Sequence, residues 1–222
     1  MVSIFIPTRH GVNTLTRTLN SIIYKSSNKD NYEILFAVDT DDVETSEYID
    51  NYFIDLDINY KKVLFEPLGY KKLHVYQNEL YKESVGNMLW IFGDDVEITT
   101  QDWDKIVLDN INENYLYCYF NSGFDSWSFS IYPIVSRVWV ETTSRFSNNS
   151  QTDLWLGYIA DDLEIVKRIP LNCIILEQAD GSKHDSMNFY ENSFDEFNID
   201  KSKISNLVGK KDTMKSNHLF KK

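Results

Sequence analysis

Cysteine is nearly absent. Only Cys118 and Cys173 occur in 222 residues, and each lies inside an apolar run, which reads as two buried thiols rather than a disulfide. The sequons at Asn148 and Asn192 carry correspondingly little weight. No apolar stretch approaches the length needed to span a bilayer. The opening Met-Val-Ser-Ile-Phe-Ile-Pro has no basic segment ahead of its apolar residues, so it does not read as a signal peptide. The expected compartment is the cytoplasm. Basic residues are outnumbered: 22 Lys and Arg face 34 Asp and Glu, a formal net charge of -12. A general attraction to nucleic acid is therefore not expected. Basic residues do collect near the end, at Lys210, Lys211, Lys215, Lys221 and Lys222. That cluster reads first as a solvated tail, and second as a peripheral contact for an anionic membrane or polyanionic acceptor. No internal repeat is present.

With 42% hydrophobic and 14% aromatic residues, the chain can bury a substantial core. The pattern predicts one domain over residues 1–185 and an appendage or tail over 186–222, where periodicity fades. Strand and helix patterns alternate through the first half. Val2 to Ile6, Ile34 to Val38, Lys62 to Phe65 and Met88 to Phe92 read as strands. Between them, Leu15, Leu19, Ile22 and Ile23 recur at helical spacing, with Asn13 or Thr14 placed to cap. Val43, Ile49, Tyr52 and Phe53 suggest a second helix, and Gly69 to Tyr81 a third. Trp103, Ile106, Val107 and Ile111 suggest a fourth. This alternation predicts an α/β fold: a single open, mostly parallel twisted sheet flanked by helices, with a short irregular C-terminal appendage. In the second half, Leu116 to Phe120 and Ile131 to Val140 read as strands. A helix is expected from Thr152 to Val166, and a last strand from Cys173 to Leu176.

Carboxylates gather where the strands end. The run Met88-Leu89-Trp90-Ile91-Phe92 stops at Gly93-Asp94-Asp95, with Glu97 two positions on. Asp39, Asp41 and Asp42 close the second strand. In a parallel sheet both clusters fall on one edge, the edge where such sheets bind ligands. Crowded carboxylates repel one another unless a cation compensates, and hard oxygen ligands suit a divalent cation and, through it, a phosphate. A solvated acidic turn is the bland alternative. Thr8 and Arg9 follow the first strand at the same edge, where an Arg can pair with a phosphate or stack on a base. Asp153 opens the late helix, and Ser150-Gln151-Thr152-Asp153 matches a capping box, which explains the acid without chemistry. His184, followed by Asp185, can serve as a metal ligand or stand as a solvated loop residue.

Taken together, these segments resemble the A-type fold glycosyltransferases, in particular the inverting family 2 group. Ser3-Ile4-Phe5-Ile6-Pro7-Thr8-Arg9 with its Leu-periodic helix is similar to that group's opening. Glu33 to Asp39 resembles the strand whose closing Asp contacts the nucleotide. Trp90-Ile91-Phe92-Gly93-Asp94-Asp95 resembles the strand carrying its Asp-x-Asp metal motif, and Gln101-Asp102-Trp103-Asp104 the Trp segment that follows. Thr152-Asp153-Leu154-Trp155-Leu156 resembles the late helix bearing the catalytic base. The resemblance covers residues 2 to 185. It implies a metal-dependent transferase that moves a sugar from a nucleoside-diphosphate donor, a UDP-sugar first, with inversion. Asp153 would be the base; Pro7, Thr8, Arg9, Asp39, Asp41 and Asp94 would bind donor. Asp94, Asp95 and His184 would hold Mn2+ or Mg2+. A glycan or lipid-linked acceptor is the family default; modified phage DNA also occurs there, and the acidic charge disfavours it.

The chain departs from the pattern in places. Asp94-Asp95-Val96-Glu97 is not a clean Asp-x-Asp, so either Asp95 or Glu97 can take the second position. The Gly-Ser after the second strand is missing, Gln77-Asn78 stands near the place of an Arg-Asn pair, and Thr152 replaces an acid before the base. Two other functions follow from these gaps. One is a non-catalytic nucleotide-sugar or glycan-binding module of the same fold. The other is a sugar-phosphate nucleotidyltransferase, which would want a Gly-rich loop where Thr8-Arg9-His10-Gly11-Val12 has one Gly.

Overall fold

The computed structural model describes residues 1–110, 116–121, 131–176 and 194–209. Strand β1 (Val2–Thr8) lies between β2 (Tyr32–Asp39) and β4 (Met88–Ile91), parallel to both, and β3 (Tyr60–Phe65) extends the parallel set beyond β2. Past β4 the sheet turns mixed, through β7 (Ile134–Ser136), β6 (Tyr117–Asn121), β8 (Val166–Ile175) and β5 (Val96–Ile98), in the order β3-β2-β1-β4-β7-β6-β8-β5. β4–β7, β7–β6 and β8–β5 are antiparallel, while β6–β8 is parallel.

The central strands are apolar on both faces because both faces are covered. Ile4, Ile6, Ile34, Phe36, Val38 and Trp90 point one way. They pack on α1 (Val12–Tyr24), α2 (Val43–Phe53) and α4 (Trp103–Asn110). Phe5, Leu35, Ala37, Leu89 and Ile91 point the other way. They meet α3 (Leu73–Glu83), α5 (Arg137–Thr143), α6 (Thr152–Asp162) and α7 (Phe194–Val208). Cys118 and Cys173 are buried free thiols. No described helix is long and apolar enough to cross a membrane.

Several boundaries differ from the sequence reading. β1 runs through Pro7 to Thr8, because Pro7 needs no N–H where the neighbouring strands do not ask for one. α1 is capped at Gly11, not at Asn13 or Thr14; Thr14 Oγ1 instead donates back to the Gly11 carbonyl at 3.0 Å. The apolar run read as one strand over 131–140 splits: only Ile134–Ser136 pairs, and Arg137 begins a helix. Periodicity cannot separate a short buried strand from a buried helix turn. α6 ends at Asp162, and β8 begins at Val166, well before Cys173. Ile111 lies outside the described residues, as does the basic cluster from Lys210 onward.

Beyond residue 186 there is a regular element that the fading periodicity did not announce. Phe197 and Ile204 of α7 enter the core. Its buried face also carries charge: Asp200 and Lys201 are 0% and 1% exposed. Arg145 Nε meets Asp200 at 3.0 Å, and Lys201 Nζ lies 2.9 Å from Asp162 on α6. Burial of charge in pairs is what hides such a helix from a hydrophobic count.

Candidate active site

Three strand ends build one side of the site. Leaving β1, the chain turns through His10 in the left-handed region at φ 55°, and the His10 N–H donates to Asp42 Oδ2 at 2.6 Å. Burial alone would raise the Asp42 carboxyl, but the His10 and Thr45 hydrogen bonds outweigh it and hold it below its ordinary value. This turn presents Arg9, whose guanidinium bridges Asp39 and Asp41, the latter at 2.7 Å. Asp39 is also gripped from behind, where the buried Tyr76 hydroxyl donates to Oδ1 at 2.5 Å. The same hydroxyl accepts the Leu68 N–H at 2.9 Å, so one phenol ties the end of β2 to the loop after β3.

Asp94 sits just past β4. Thr8 Oγ1 donates to its Oδ2 at 2.6 Å, and Thr18 of α1 donates to its backbone carbonyl at 3.0 Å. Burial raises the Asp94 carboxyl to about 6; the Thr8 bond opposes the shift and the neighbouring Asp95 adds to it. Gly11 makes room for this carboxylate, since a Cβ there would stand 2.8 Å from Asp94 Oδ2. Asp95 receives a 3.1 Å hydrogen bond from the Tyr132 hydroxyl, which burial first and Asp95 second push well above its ordinary range. Glu97 turns away on β5 and meets Arg17 Nη2 at 2.8 Å. Of the two acids considered for the second position, Asp95 is therefore the one beside Asp94.

α6 supplies the opposite wall. The capping box read from Ser150 is not formed: Gln151 is the N-cap, and its side chain makes no cap bond. The Asp153 carboxylate instead accepts from its own N–H and from that of Leu154, yet burial still raises it to about 6. Tyr70 connects the walls. Its hydroxyl is raised by burial, then by the charges of Asp153 and Asp95. The charges of two carboxylates from distant parts of the chain thus both reach this phenol, although the residue as a whole is 65% exposed.

The structure brings together Thr8, Arg9, Asp39, Asp41, Asp94 and Asp95 at one sheet edge, with Pro7 on the same strand β1, and puts Asp153 within electrostatic reach of Tyr70, as Asp95 is. His184 and Asp185 lie outside the described residues. Asn78 of the Gln77-Asn78 pair is a brace: it accepts from Phe146 N–H at 2.8 Å and donates to the Ser147 carbonyl at 3.0 Å. Sequence reasoning missed Tyr70, Tyr76, Tyr132 and Gly11, whose partners are 8 to 83 positions away or appear only once the sheet forms. No group of three or more metal-ligating residues is assembled among the described residues. Even so, two adjacent hard carboxylates fit a divalent cation, because desolvation of Asp94 leaves its negative charge undercompensated and a cation would offset that.

The architecture recurs in solved proteins. S. aureus TarS 1–349 in complex with UDP-GlcNAc superposes with a TM-score of 0.66 at 14% identity, over 98% of this chain and 68% of that one. A mannosyltransferase from Pyrobaculum calidifontis, in complex with GDP-Man and Mn2+, gives 0.64 at 14% identity, over 81% of this chain. The present chain spans 58% of that mannosyltransferase's length. At such identities the likeness is one of fold. No curated protein sequence matches the chain. The family model described as glycosyl transferase family 2 matches residues 3–175, from the first residues of β1 to the last of β8. The chain belongs to glycosyl transferase family 2.

Proposed function

We propose that the chain transfers a sugar from a nucleoside-diphosphate donor, a UDP-sugar, to an acceptor hydroxyl, with inversion at the anomeric carbon. What supports this reading is the gathering of Arg9, Asp39, Asp94 and Asp95 at one sheet edge, with Tyr70 feeling the charges of both Asp95 and Asp153. Asp39 and Arg9 form the nucleoside end: Tyr76 fixes the Asp39 carboxylate for a ribose or base donor, and Arg9 is within reach of base or phosphate. Asp94 and Asp95 would hold Mn2+ or Mg2+, which supplies Lewis acidity that neutralises the departing diphosphate. Thr8 keeps Asp94 oriented, and Tyr132 does the same for Asp95. His184 belongs to the same proposal as a further ligand from the C-terminal segment.

Asp153 acts as general base. It takes the proton of the acceptor hydroxyl while that oxygen bonds to the anomeric carbon and the bond from this carbon to the diphosphate oxygen breaks, the electron pair leaving with the nucleotide. A carboxyl near 6 is ionised at neutral pH yet basic enough to accept that proton. The neighbours in complex with UDP-GlcNAc and with GDP-Man and Mn2+ support a nucleotide-sugar donor and a cation. The test is incubation with UDP-glucose, UDP-GlcNAc and GDP-mannose in Mn2+, following nucleotide release and the anomeric proton of the product by NMR. Turnover of one donor to a product of opposite anomeric configuration is expected. Nucleotide binding without any turnover would instead indicate the non-catalytic module, and a retained configuration would remove Asp153 from its role.

A further inference from the structure

The segment that leads into α6 holds polar atoms that the fold leaves without partners. Asn149 Oδ1 accepts the Gln151 N–H at 3.0 Å, which orients the amide and leaves Nδ2 as its donor. That Nδ2 is buried and has no hydrogen-bond partner among the described residues, and the same holds for Gln151 Oε1. A buried donor and a buried acceptor, two residues apart, each forgo a hydrogen bond immediately before Asp153. Unmet groups of this kind are costly, so they mark a place where something else completes them.

The segment is not loose. Asn78 clamps its start through both ends of its own amide, and Ser147 Oγ donates to the Asn149 carbonyl at 2.7 Å and lies 2.9 Å from Thr152 Oγ1. Tyr70 offers a largely exposed ring whose hydroxyl lies in the field of Asp153, the residue that follows this segment. One turn before Asn78, on the same face of α3, His74 also has a buried, unpartnered Nδ1. Burial, then Lys72, favours its neutral form. The polar groups named around Asp153 are thus two amides and a phenol, with Lys72 beside His74.

We infer that Asn149 and Gln151 form the acceptor subsite, and that the acceptor is a neutral sugar whose neighbouring hydroxyls satisfy Nδ2 and Oε1 while Tyr70 covers its apolar face. A vicinal diol presents one acceptor oxygen and one O–H donor at short spacing, which matches an amide donor beside an amide acceptor. A phosphate-bearing acceptor would bring a second negative charge beside Asp153. The inference rests on the glycosyltransferase reading above, and names the class of acceptor within it.

The experiment uses the full chain with UDP and Mn2+ bound and reads saturation-transfer NMR for methyl β-glucoside, methyl β-N-acetylglucosaminide, methyl α-mannoside and glycerol 3-phosphate. At least one methyl glycoside should bind and glycerol 3-phosphate should not. Asn149→Asp keeps the Oδ1 that holds the turn but replaces the donor, and Gln151→Met keeps the shape without the acceptor. Each should weaken glycoside binding about tenfold, the worth of a hydrogen bond to a buried group. Melting temperature and UDP affinity should stay as in the parent, which a merely structural role for either side chain would not allow. Binding of glycerol 3-phosphate in preference to every glycoside, no glycoside binding, or glycoside binding unaffected in both variants would overturn the subsite while leaving the donor reading intact. Failure of UDP itself to bind would overturn both.

Discussion

At the residue scale the account turns on Asp153. Its folded-state carboxyl is raised to about 6 from an ordinary value of 3.8, so the folded protein holds this proton more tightly than the unfolded chain does. Stability from this group is present at low pH and is lost as pH rises from about 4 through about 6. Asp153→Asn removes that cost and retains an oxygen for the first-turn N–H groups. Its melting temperature at pH 7 should therefore equal or exceed the parent's, whereas a residue serving only as a cap would cost about 1 kcal/mol when lost. The same variant should bind UDP normally and transfer sugar roughly 10²-fold more slowly. In the parent, kcat at saturating donor should fall below pH about 6, and the variant's residual rate should lose that limb. A variant with parental kcat would remove Asp153 from the role of base. A second residue-scale test concerns Gly11. Gly11→Ala pushes a methyl to 2.8 Å from Asp94 Oδ2 without an unfavourable φ, because Gly11 sits at φ -114°. UDP affinity in Mn2+ should drop about tenfold as the Thr8–Asp94 bond is disturbed, with little change in melting temperature. Calorimetry showing parental affinity would mean that the Asp94 carboxylate is not positioned for binding.

At the scale of elements, the parts differ in how far the sequence alone revealed them. β1, β2 and β4 are apolar on both faces, β1 and β2 end in Thr8 and Asp39, and β4 is followed within three residues by Asp94, so their identity and their shared edge were legible from pattern alone. α5 was not, because apolar residues stand on both sides of Ser136 and Arg137, and the switch from sheet to helix there leaves no periodic trace. α7 escaped because its inner face is filled by Asp200 and Lys201 as well as Phe197 and Ile204. The carboxylates of the site were legible because acids at strand ends stand out. The tyrosines that organise them were not, because Tyr76, Tyr132 and Tyr70 gain their meaning only from long-range partners. α7 also carries a measurable consequence. Lys201→Met leaves Asp162 charged and buried without its counterion, which should cost about 3–5 kcal/mol in denaturant unfolding. Adding Asp162→Leu should recover much of that loss. A cost below about 1 kcal/mol for Lys201→Met would mean that the pair behaves as a surface ion pair and that α7 is not held through it.

At the scale of the molecule, the sheet divides the labour. Its parallel half, β3-β2-β1-β4, lines up Arg9, Asp39, Asp94 and Asp95 on the edge where open α/β sheets bind nucleotides. Its mixed half carries α6 and turns Asp153 back toward that edge. In the proposed reaction donor and acceptor chemistry fall to different halves of one sheet, which is why single-site variants should separate donor affinity from transfer rate. The central claim is that the parallel half binds a nucleoside diphosphate through a cation held at Asp94 and Asp95. The most direct measurement is titration calorimetry of UDP into the parent and into Asp95→Asn, each in Mn2+ and in excess chelator. The account predicts that Mn2+ tightens UDP binding to the parent at least about tenfold and that Asp95→Asn loses most of this gain. Equal affinity with Mn2+ and with chelator, or an Asp95→Asn protein that keeps the full gain, would contradict it.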